Sequence, residues 1–372
     1  MRNYLLTLLV AAAVTYLAVP AVRLVAIKLG VMTEVRDRDV HVVPTPRLGG
    51  VAMLLGVGAG MLVASRLPLL RSVFSGPGSW WSQDWFALLT GAVLICLLGA
   101  IDDKWGIDAV TKLAGQVLAA GAMALQGVQL LWLPVGGTTL IPPPSVGVLL
   151  TVLVVLVSIN AVNFVDGLDG LAAGIVAISA GSLFLFSYIL SVEEGIDRAD
   201  TPTMVAALTV GACLGFLPHN WYPARIFMGD SGSMLLGLLL AASTISLTGK
   251  VDPSAVTSVN LVPTLMPLVL PVLVLLVPLA DLLLAVVRRT RAGRSPFAPD
   301  RQHLHHRLLE IGHSQQRAVL IMYAWTALVA VGILVVTLLG GLWPKVVLVA
   351  VAVVALLATL GVDQRRSARA AR

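Results

Sequence analysis

The stretch VGVLLTVLVVLVSINAVNFVDGLDG (residues 146–170) joins a long apolar run to a group of polar side chains. The apolar run carries no charge, whereas Asn160, Asn163, Asp166 and Asp169 follow it at every third position, a spacing that shares one face if the helix continues. An unpaired buried carboxylate costs on the order of several kcal/mol, and acids close to membrane spans usually belong to functional sites. A turn that caps the next helix would explain one of these residues, but not the whole group. The stretch therefore predicts a membrane-spanning helix that ends at a functional site.

The composition of the whole chain is that of a membrane protein with many spans. Of its 372 residues, 58% are hydrophobic and 12% are charged, and the mean hydropathy is +0.93. Because about 20 apolar residues cross a bilayer, a window of roughly 19 residues predicts about eleven candidate spans. Their approximate limits are residues 3–25, 48–66, 85–101, 109–131, 146–162, 171–190, 203–218, 231–248, 261–287, 318–339 and 344–362. We therefore expect an all-α polytopic membrane protein with about ten or eleven transmembrane helices, forming a single domain over residues 1–372 with a basic tail at about residues 363–372.

The sequence disfavours several other classes of site. Cys96 and Cys213 lie within apolar runs, where cysteine behaves as a small hydrophobic residue, so neither a disulfide framework nor a thiolate metal site is indicated. No Gly-rich phosphate-binding or dinucleotide-binding motif follows a strand pattern. The first apolar segment, residues 3–25, is too long for the core of a signal peptide, and we interpret it as the first span.

The basic residues are distributed unevenly between the two sides of the predicted membrane. If the first span runs from outside to inside, most Lys and Arg residues and the C-terminus fall on one side, which the positive-inside rule assigns to the cytoplasm. The net charge of +6 then reflects topology and attraction to anionic lipid head groups, with no need for nucleic acid. Most acids at span ends fall on the same side. We therefore expect a multi-pass protein of the plasma (inner) membrane whose active site faces the cytoplasm.

A pair of acids closes the third predicted span, in GAIDDKWGIDAVTK (residues 99–112). Carboxylates at a helix C-terminus meet the negative end of the helix dipole, at a cost of roughly 0.3 to 1 kcal/mol each, and Asp102 and Asp103 also repel each other. Lys112 lies about one turn into the next span and could direct its ammonium to the same place. The motif indicates a site for a cation or a phosphate; the alternative is a solvated loop entrance.

A further acid precedes the eighth predicted span, in LPHNWYPARIFMGDSGSMLLG (residues 217–237). Asp230 could cap that helix and also bind a divalent cation. Asn220 and Phe227 in the preceding loop could supply an amide and an aromatic face for a nucleobase. For single residues of this kind, a plain helix cap and an interfacial aromatic belt are the alternatives.

The last cluster lies in RRTRAGRSPFAPDRQHLHHRLLEIGH (residues 288–313). Its first arginines are typical of positive-inside anchors. Three imidazoles and two guanidiniums follow within a short segment: Arg301, His303, His305, His306 and Arg307. Arginine donates forked hydrogen bonds and histidine exchanges a proton near neutral pH, so this segment suits a dianionic or pyrophosphate ligand. A transition-metal site is the alternative, disfavoured by the lack of nearby cysteine and by the basic charge.

Carboxylates that hold a divalent ion, opposite basic side chains, are the equipment of phosphoryl transfer. A site at the membrane face indicates that one substrate is a lipid.

These motifs, taken in order, resemble those of the polyprenyl-phosphate N-acetylhexosamine-1-phosphate transferases, and most of all the WecA/TagO branch, which uses UDP-GlcNAc and undecaprenyl phosphate. The resemblance rests on VPTPRLGG (43–50), IDDKWG (101–106), NAVNFVDGLDGLAAG (160–174), IFMGDSGS (226–233) and DRQHLHHRL (300–308). It implies an enzyme of ten or eleven spans that transfers GlcNAc-1-phosphate to a polyprenyl phosphate (undecaprenyl or decaprenyl) and releases UMP, with Mg²⁺ or Mn²⁺ as cofactor. The product, polyprenyl-diphosphate-GlcNAc, would begin a cell-envelope glycopolymer.

The resemblance also implies roles for individual residues. Catalytic roles fall to Asp102, Asp103, Asp230, His305 and His306. Asp230 is expected to be the principal metal ligand, and Asn163 is expected to share the ion. Substrate-binding roles fall to Lys112, Asn160, Asn163, Asp166, Asp169, Asn220, Phe227, Arg301, His303 and Arg307. Among these, Asp169, Asn220 and Phe227 would frame the uracil, while the residues from His303 to Arg307 would hold the sugar and the pyrophosphate.

Two alternatives remain open from the sequence. The phospho-MurNAc-pentapeptide transferases share the aspartate motifs, but typically carry a His pair followed by Glu where this chain has Arg307 after His305 and His306. A cation-coupled transporter would also place acids in the membrane, but usually near the midplane and within internal repeats, of which we find none. Relatives often carry more basic residues just before PRLGG, whereas the segment DVHVVPTP (39–46) of this chain has only His41. The sequence leaves open the downstream polymer, the prenyl length, direct attack as against a covalent intermediate, and the oligomeric state, for which a homodimer is one alternative.

Overall fold

The computed structural model describes residues 1–33, 44–75, 83–135, 138–193, 200–250, 290, 313–339, 341 and 343–355. The span predicted at 261–287, the His- and Arg-rich segment and the predicted basic tail lie outside these residues.

The described chain is almost entirely helical, as its hydropathy predicts. The helices are α1 (Arg2–Lys28), α2 (Gly49–Ala64), α3 (Arg71–Phe74), α4 (Asp84–Trp105), α5 (Ala109–Leu125), α6 (Pro144–Val165), α7 (Leu171–Glu193), α8 (Asp200–Asn220), α9 (Gly229–Lys250), α10 (Gln315–Leu339) and α11 (Trp343–Ala355). Seven of the described helices are long and apolar enough to cross a membrane, and α2, α5 and α11 are shorter apolar helices. Each predicted span within the described residues coincides with one helix, so the all-α polytopic fold class is confirmed.

Two boundaries differ from the hydropathy prediction in ways that matter for the site. The span predicted at 109–131 ends at Leu125, because Gly127 takes a positive φ of 121° and turns the chain. The chain then forms a short antiparallel hairpin of β1 (Leu133–Val135) and β2 (Thr138–Leu140). Helix α4, by contrast, continues to Trp105, so that Asp102 and Asp103 lie within its last turn. Hydropathy underestimates this helix because its final turn is polar.

Helix α9 is the centre of the bundle. Its apolar window is wholly buried, and it packs against α2, α4, α6, α7 and α8. The outer helices instead expose large apolar side chains, for example Leu17 on α1 and Leu118 on α5, as expected of surfaces that face lipid tails. Within the described part of the chain, the position of α9 is therefore set by the helices packed around it.

Glycines allow the helices to approach one another closely. At Gly211 and Gly215 of α8, an added Cβ would meet backbone oxygens of α1 at 2.3 and 2.2 Å, and at Gly237 of α9 it would meet the backbone of α6 at 2.5 Å. Small residues are the usual means of tight helix association in membranes, where van der Waals packing replaces the hydrophobic drive.

Successive helices alternate in direction, so the end of one helix and the start of the next lie at the same end of the bundle. The C-terminal ends of α1, α4, α6 and α8 lie at the same end of the bundle as the N-terminal ends of α2, α5, α7 and α9. Contacts between these ends include Arg23 Nε to the Arg225 carbonyl at 3.0 Å and the Gly49 amide to the Phe227 carbonyl at 3.1 Å. We call this the site end of the bundle, because the predicted polar residues of the described chain lie there.

Candidate active site

Asp230 stands in the first turn of α9, at the point where four helices meet. Gly229 opens the helix with a φ of +67°. One carboxylate oxygen, Oδ1, accepts a hydrogen bond from Asn163 Nδ2 of α6 at 2.8 Å, and the other, Oδ2, forms an ion pair with Lys112 of α5. The buried N-terminus of the central helix thus places an acid opposite two neighbouring helices.

Lys112 also binds the second acid of this region. Its ammonium lies 2.8 Å from Asp102 Oδ2, while Asp102 Oδ1 accepts a hydrogen bond from the Ile107 amide at 2.8 Å. Lys112 lies in the first turn of α5, which begins directly after Asp108. The Asp108 side chain accepts hydrogen bonds from the amides of Val110 and Thr111 and so caps the helix. The Thr111 hydroxyl, bonded to the same carboxylate, lowers the pKa of Asp108. The ammonium therefore bridges two carboxylates from different helices.

Asp103, next in sequence, is oriented differently. Its side chain is only 8% exposed. Oδ1 accepts a hydrogen bond from the Asp230 amide at 2.9 Å, and Oδ2 accepts one from the Ser231 amide at 3.1 Å. The adjacent acids of α4 thus reach the same helix end through different partners. We call Asp102, Asp103, Asp230 and Lys112 the carboxylate cluster.

The asparagines of α6 face the same cluster. Asn163 Nδ2 donates to Ser233 Oγ at 2.9 Å as well as to Asp230. Asn160, one turn earlier, donates to Gln116 Oε1 of α5 at 3.0 Å and to its own helix. These two residues share one helix face, as their spacing predicts.

The helix does not continue to the two following acids, so they do not share this face. Helix α6 ends at Val165, with Asp166 as its C-cap, and Gly170 adopts a φ of +77° before α7 begins. Asp166 and Asp169 therefore lie on a turn. Glycine permits this break, which spacing alone does not reveal.

Asp166 remains close enough to the cluster to respond to its charge. Burial among protein atoms and the nearby Asp230 carboxylate raise its pKa from 3.8 to about 8, and the positive charge of Arg47 opposes this shift. Arg47 precedes Gly49 and Gly50, whose amides bond to the carbonyls of Phe227 and Met228 at 3.1 and 3.0 Å. This pairing holds the PRLGG segment against the approach to α9.

The residues predicted to frame a nucleobase join two loops at the site end. Asp169, 3% exposed, accepts a hydrogen bond from the Ala224 amide at 3.0 Å. Asn220 accepts one from the Gly170 amide and donates one to the Ile226 carbonyl, both at 3.0 Å. The partly buried Phe227 pairs through its backbone with Pro46 and Gly49. These contacts order the loops, and nucleobase binding by these side chains stays a prediction.

Arg301, His303, His305, His306 and Arg307 all lie outside the described residues.

Three residues near the cluster were absent from the predicted site: Arg47, Gln116 and Ser233. Each had a signal in the sequence. Gln116 is a polar residue in an apolar helix, Ser233 lies in the GDSGS motif, and Arg47 lies in PRLGG. Only their contacts with residues far away in the chain distinguish them from ordinary surface residues.

The oxygen donors of the cluster suit a hard divalent cation. Within the described residues no group of three or more His, Cys, Asp or Glu side chains is arranged to hold a metal ion. Mg²⁺, however, is usually bound by one or two carboxylates together with substrate phosphates. Asp230 and Asp102 already share one cation, the ammonium of Lys112, so the donor set fits Mg²⁺ bound together with a phosphate ligand.

Comparisons with known proteins identify the family of the chain. Residues 85–248 match glycosyl transferase family 4. Over 336 residues the chain is 46% identical to decaprenyl-phosphate N-acetylglucosaminephosphotransferase of Mycobacterium tuberculosis, covering 89% of this chain and 82% of that protein. Over 307 residues it is 30% identical to a probable undecaprenyl-phosphate N-acetylglucosaminyl 1-phosphate transferase of Bacillus subtilis, covering 82% and 76%. Over 321 residues it is 31% identical to phospho-N-acetylmuramoyl-pentapeptide-transferase of Desulforudis audaxviator, covering 80% and 85%.

The matched family range contains the whole carboxylate cluster, and the similarity to individual proteins covers most of the chain. The chain therefore belongs to glycosyl transferase family 4, within the polyprenyl-phosphate N-acetylhexosamine-1-phosphate transferases that its sequence motifs resemble.

Proposed function

We propose that this protein transfers GlcNAc-1-phosphate from UDP-GlcNAc to a polyprenyl phosphate, forming polyprenyl-diphosphate-GlcNAc and releasing UMP. The observation that carries the proposal is the meeting of Asp102, Asp103, Lys112 and Asn163 around Asp230 at one end of a membrane-embedded bundle. The relatives named for transfer to decaprenyl or undecaprenyl phosphate support it. A lipid phosphate at the membrane surface can reach a site at a helix end, whereas the soluble sugar nucleotide can reach it from the aqueous side.

The reaction is a displacement at phosphorus. An oxygen of the lipid phosphate attacks the β-phosphorus of UDP-GlcNAc, the atom next to the sugar, and the bond from that phosphorus to the bridging oxygen breaks as UMP leaves with the electron pair. Lys112 stabilises negative charge on the phosphates, and Asp102 beside it accepts the proton of any monoanionic lipid phosphate. A phosphate monoester with a second pKa near 6 is largely dianionic at neutral pH, so positioning contributes more than base catalysis. A covalent aspartyl-phosphate route is the alternative, and ping-pong kinetics would support it.

A divalent cation, Mg²⁺ or Mn²⁺, is part of the proposal. Asp230 would hold it, with Asn163 as neighbour, and it would neutralise the charge of the diphosphate. Asn163 orients the Asp230 carboxylate through the bond to Oδ1. Ser233 in turn accepts a hydrogen bond from the Asn163 amide and so fixes the orientation of Asn163 beside the proposed metal ligand Asp230.

The site end of the bundle is proposed to face the cytoplasm, where UDP-GlcNAc is available. The distribution of Lys and Arg along the chain supports this orientation through the positive-inside rule. The protein itself is a multi-pass membrane protein, as its apolar helices and its relatives indicate. A homodimer stays a prediction.

The experiment that tests the function is direct. Purified protein in detergent is incubated with UDP-[¹⁴C]GlcNAc, decaprenyl phosphate and Mg²⁺, and the organic phase is examined for a labelled lipid while UMP is measured in the aqueous phase. We expect both products in equal amounts, and neither with the Asp230→Asn variant.

A parallel reaction with UDP-MurNAc-pentapeptide separates the two enzyme alternatives. Identity of 46% to a GlcNAc phosphotransferase against 31% to a phospho-MurNAc-pentapeptide transferase favours GlcNAc as the sugar. Product from the MurNAc-pentapeptide donor alone would contradict the proposed substrate. No product from either donor, together with no stabilisation by any uridine nucleotide, would favour a transporter.

A further inference from the structure

Asp103 serves the backbone of another helix. The amides of Asp230 and Ser231 lie in the first turn of α9, where no intrahelical acceptor is available. Each donates instead to one carboxylate oxygen of Asp103, at 2.9 and 3.1 Å. Charged acceptors make stronger hydrogen bonds than neutral ones, and a negative charge is favourable at a helix N-terminus. Asp103 of α4 is therefore an N-terminal cap of α9.

The packing around this cap leaves it little freedom. At Gly229, an added Cβ would lie 2.3 Å from Asp103 Oδ2. At Gly99, an added Cβ would lie 2.3 Å from the Ser231 amide nitrogen. Gly99 and Asp103 are four residues apart on α4 and so share one helix face. At Gly99 the backbone of α4 thus rests directly on the first turn of α9, and one turn later the Asp103 side chain bonds to the same turn.

Asp102 differs from Asp103 in its partners. Its Oδ2 faces the ammonium of Lys112, which also binds Asp230, and its side chain is 12% exposed. Both carboxylate oxygens of Asp103, in contrast, are directed at amides of α9. The two adjacent acids are therefore not interchangeable.

We propose that Asp103 is a positioning residue, which holds the first turn of α9 and thereby the Asp230 carboxylate. The inference rests on the proposed function only in the role given to Asp230. Neutralising Asp103 then loosens the helix end and weakens metal binding, rather than removing a base.

The direct test is hydrogen–deuterium exchange of the segment 227–235 in full-length protein, without substrate or metal. Asp103→Asn keeps the size of the side chain but presents an NH₂ group to one amide, so it retains only half of the cap. Asp103→Ala removes the cap entirely. We expect exchange of the Asp230 and Ser231 amides to accelerate by about tenfold in Asp103→Asn and by more in Asp103→Ala.

Two matched variants serve as controls. Asp102→Asn neutralises the adjacent acid, whose bonds do not reach the amides of α9. Asp108→Asn weakens the cap of a different helix, α5. Neither should change exchange in residues 227–235 by more than about twofold. Unchanged exchange in both Asp103 variants would overturn the proposal, whatever their activity, and Asp103→Asn decides the matter if Asp103→Ala fails to fold.

Activity assays then separate positioning from base catalysis. We expect Asp103→Asn to raise the Mg²⁺ concentration for half-maximal activity by about tenfold, with partial recovery of rate at high Mg²⁺ and with the acidic limb of the pH profile retained. Asp102→Asn should lower kcat at all Mg²⁺ concentrations. Loss of the acidic limb in Asp103→Asn, with unchanged Mg²⁺ dependence, would assign the base to Asp103. If the wild type forms no lipid product, the proposed function fails, while the exchange experiment still tests the cap.

Discussion

Lys112 lies between the carboxylates of Asp102 and Asp230, with Asp103 behind them. Three carboxylates against one ammonium leave the carboxylate cluster with a net negative charge. Because the bridging side chains are partly exposed, at 21% for Lys112 and 26% for Asp230, water and ions reach the pair. In the proposed function, the lysine would therefore compete with the divalent cation for the same oxygens while it also attracts the phosphates.

Replacing Lys112 with Gln should separate these two effects. We expect Lys112→Gln to lower kcat by about a hundredfold, because the phosphates lose a positive charge. The same variant should bind Mg²⁺ more tightly, because the acids lose their internal cation. Mg²⁺-dependent thermal shift, without substrate, measures the second effect. Lys104→Gln, which removes an exposed ammonium stacked on Trp105 at 4.6 Å, should change neither quantity. Weaker Mg²⁺ binding in Lys112→Gln would contradict the proposed competition.

Asp166 should make stability depend on pH. Its pKa of about 8 in the folded protein exceeds the ordinary value of 3.8, so between these values the folded state binds more protons than the unfolded state. Stability then falls as pH rises, until about pH 8. In EDTA, the Tm of Asp166→Asn relative to that of the wild type should therefore rise by a few degrees as the pH is raised from about 5 to about 8.

The exposed Asp108 provides the control for this pH effect. The pKa of Asp108 is lowered by its bonds to Thr111, so its contribution is lost only as pH falls below its ordinary range. The difference between Asp108→Asn and the wild type should thus be constant from about pH 6 upwards. If the Tm of the wild type and that of Asp166→Asn changed in parallel with pH, Asp166 would not be the cause of the pH dependence.

At the scale of the helices, close packing decides where Asp230 lies. Helix α9 is buried along its apolar window, and its first turn is enclosed by glycines on two neighbours. An added Cβ at Gly50 of α2 would lie 2.2 Å from the Gly232 amide nitrogen, and one at Gly99 of α4 would lie 2.3 Å from that of Ser231. Backbone atoms cannot move aside as a flexible side chain can, so these contacts hold the helix end in register.

A single methyl group at Gly99 should therefore be costly. We expect Gly99→Ala to lower Tm and to reduce activity by at least about tenfold, since α4 and the first turn of α9 must separate. Gly121→Ala on α5 is the matched control, because a Cβ there meets nothing within 4 Å. That substitution should leave the stability of the protein unchanged or increase it by up to about 1 kcal/mol, because alanine has a higher helix propensity than glycine. Equal Tm values for the two variants would show that α4 and α9 accommodate the added methyl group at Gly99 without loss of stability, which would contradict the prediction.

At the scale of the whole molecule, alternation of the helices separates a polar site end from the end that carries the β1–β2 hairpin. Both native cysteines are buried. Single introduced cysteines can therefore report orientation without removal of the native ones.

The proposed orientation predicts the labelling of two such cysteines. Lys104→Cys at the site end should react with a membrane-impermeant maleimide in inverted vesicles but not in intact spheroplasts. Leu140→Cys in the hairpin, 53% exposed in the native residue, should show the reverse. Labelling of Lys104→Cys from the outside would contradict a cytoplasmic site.

Much of this architecture was accessible from the sequence, because helix formation in a membrane depends on local composition. Long apolar runs must become helices that satisfy their own backbone hydrogen bonds, so the fold class could be predicted and is confirmed, and each span predicted within the described residues coincides with a helix. The motifs around Asp102, Asn163 and Asp230 indicated a shared site, and the family that they resemble is confirmed by the relatives. Helix ends were less predictable, as at Leu125 and Trp105, because polar final turns and single glycines alter them without changing average hydropathy.

The composition and motifs of the chain established a helical membrane protein of this transferase family with acids at the helix ends. The tertiary structure alone distinguished the adjacent Asp102 and Asp103, directing one at an ammonium and the other at the amides of α9. It also added Arg47, Gln116 and Ser233 to the surroundings of the site. The reason is physical: a side chain's chemistry is local, but its hydrogen-bond partners come from helices far away in the chain, and their packing decides which partners it meets.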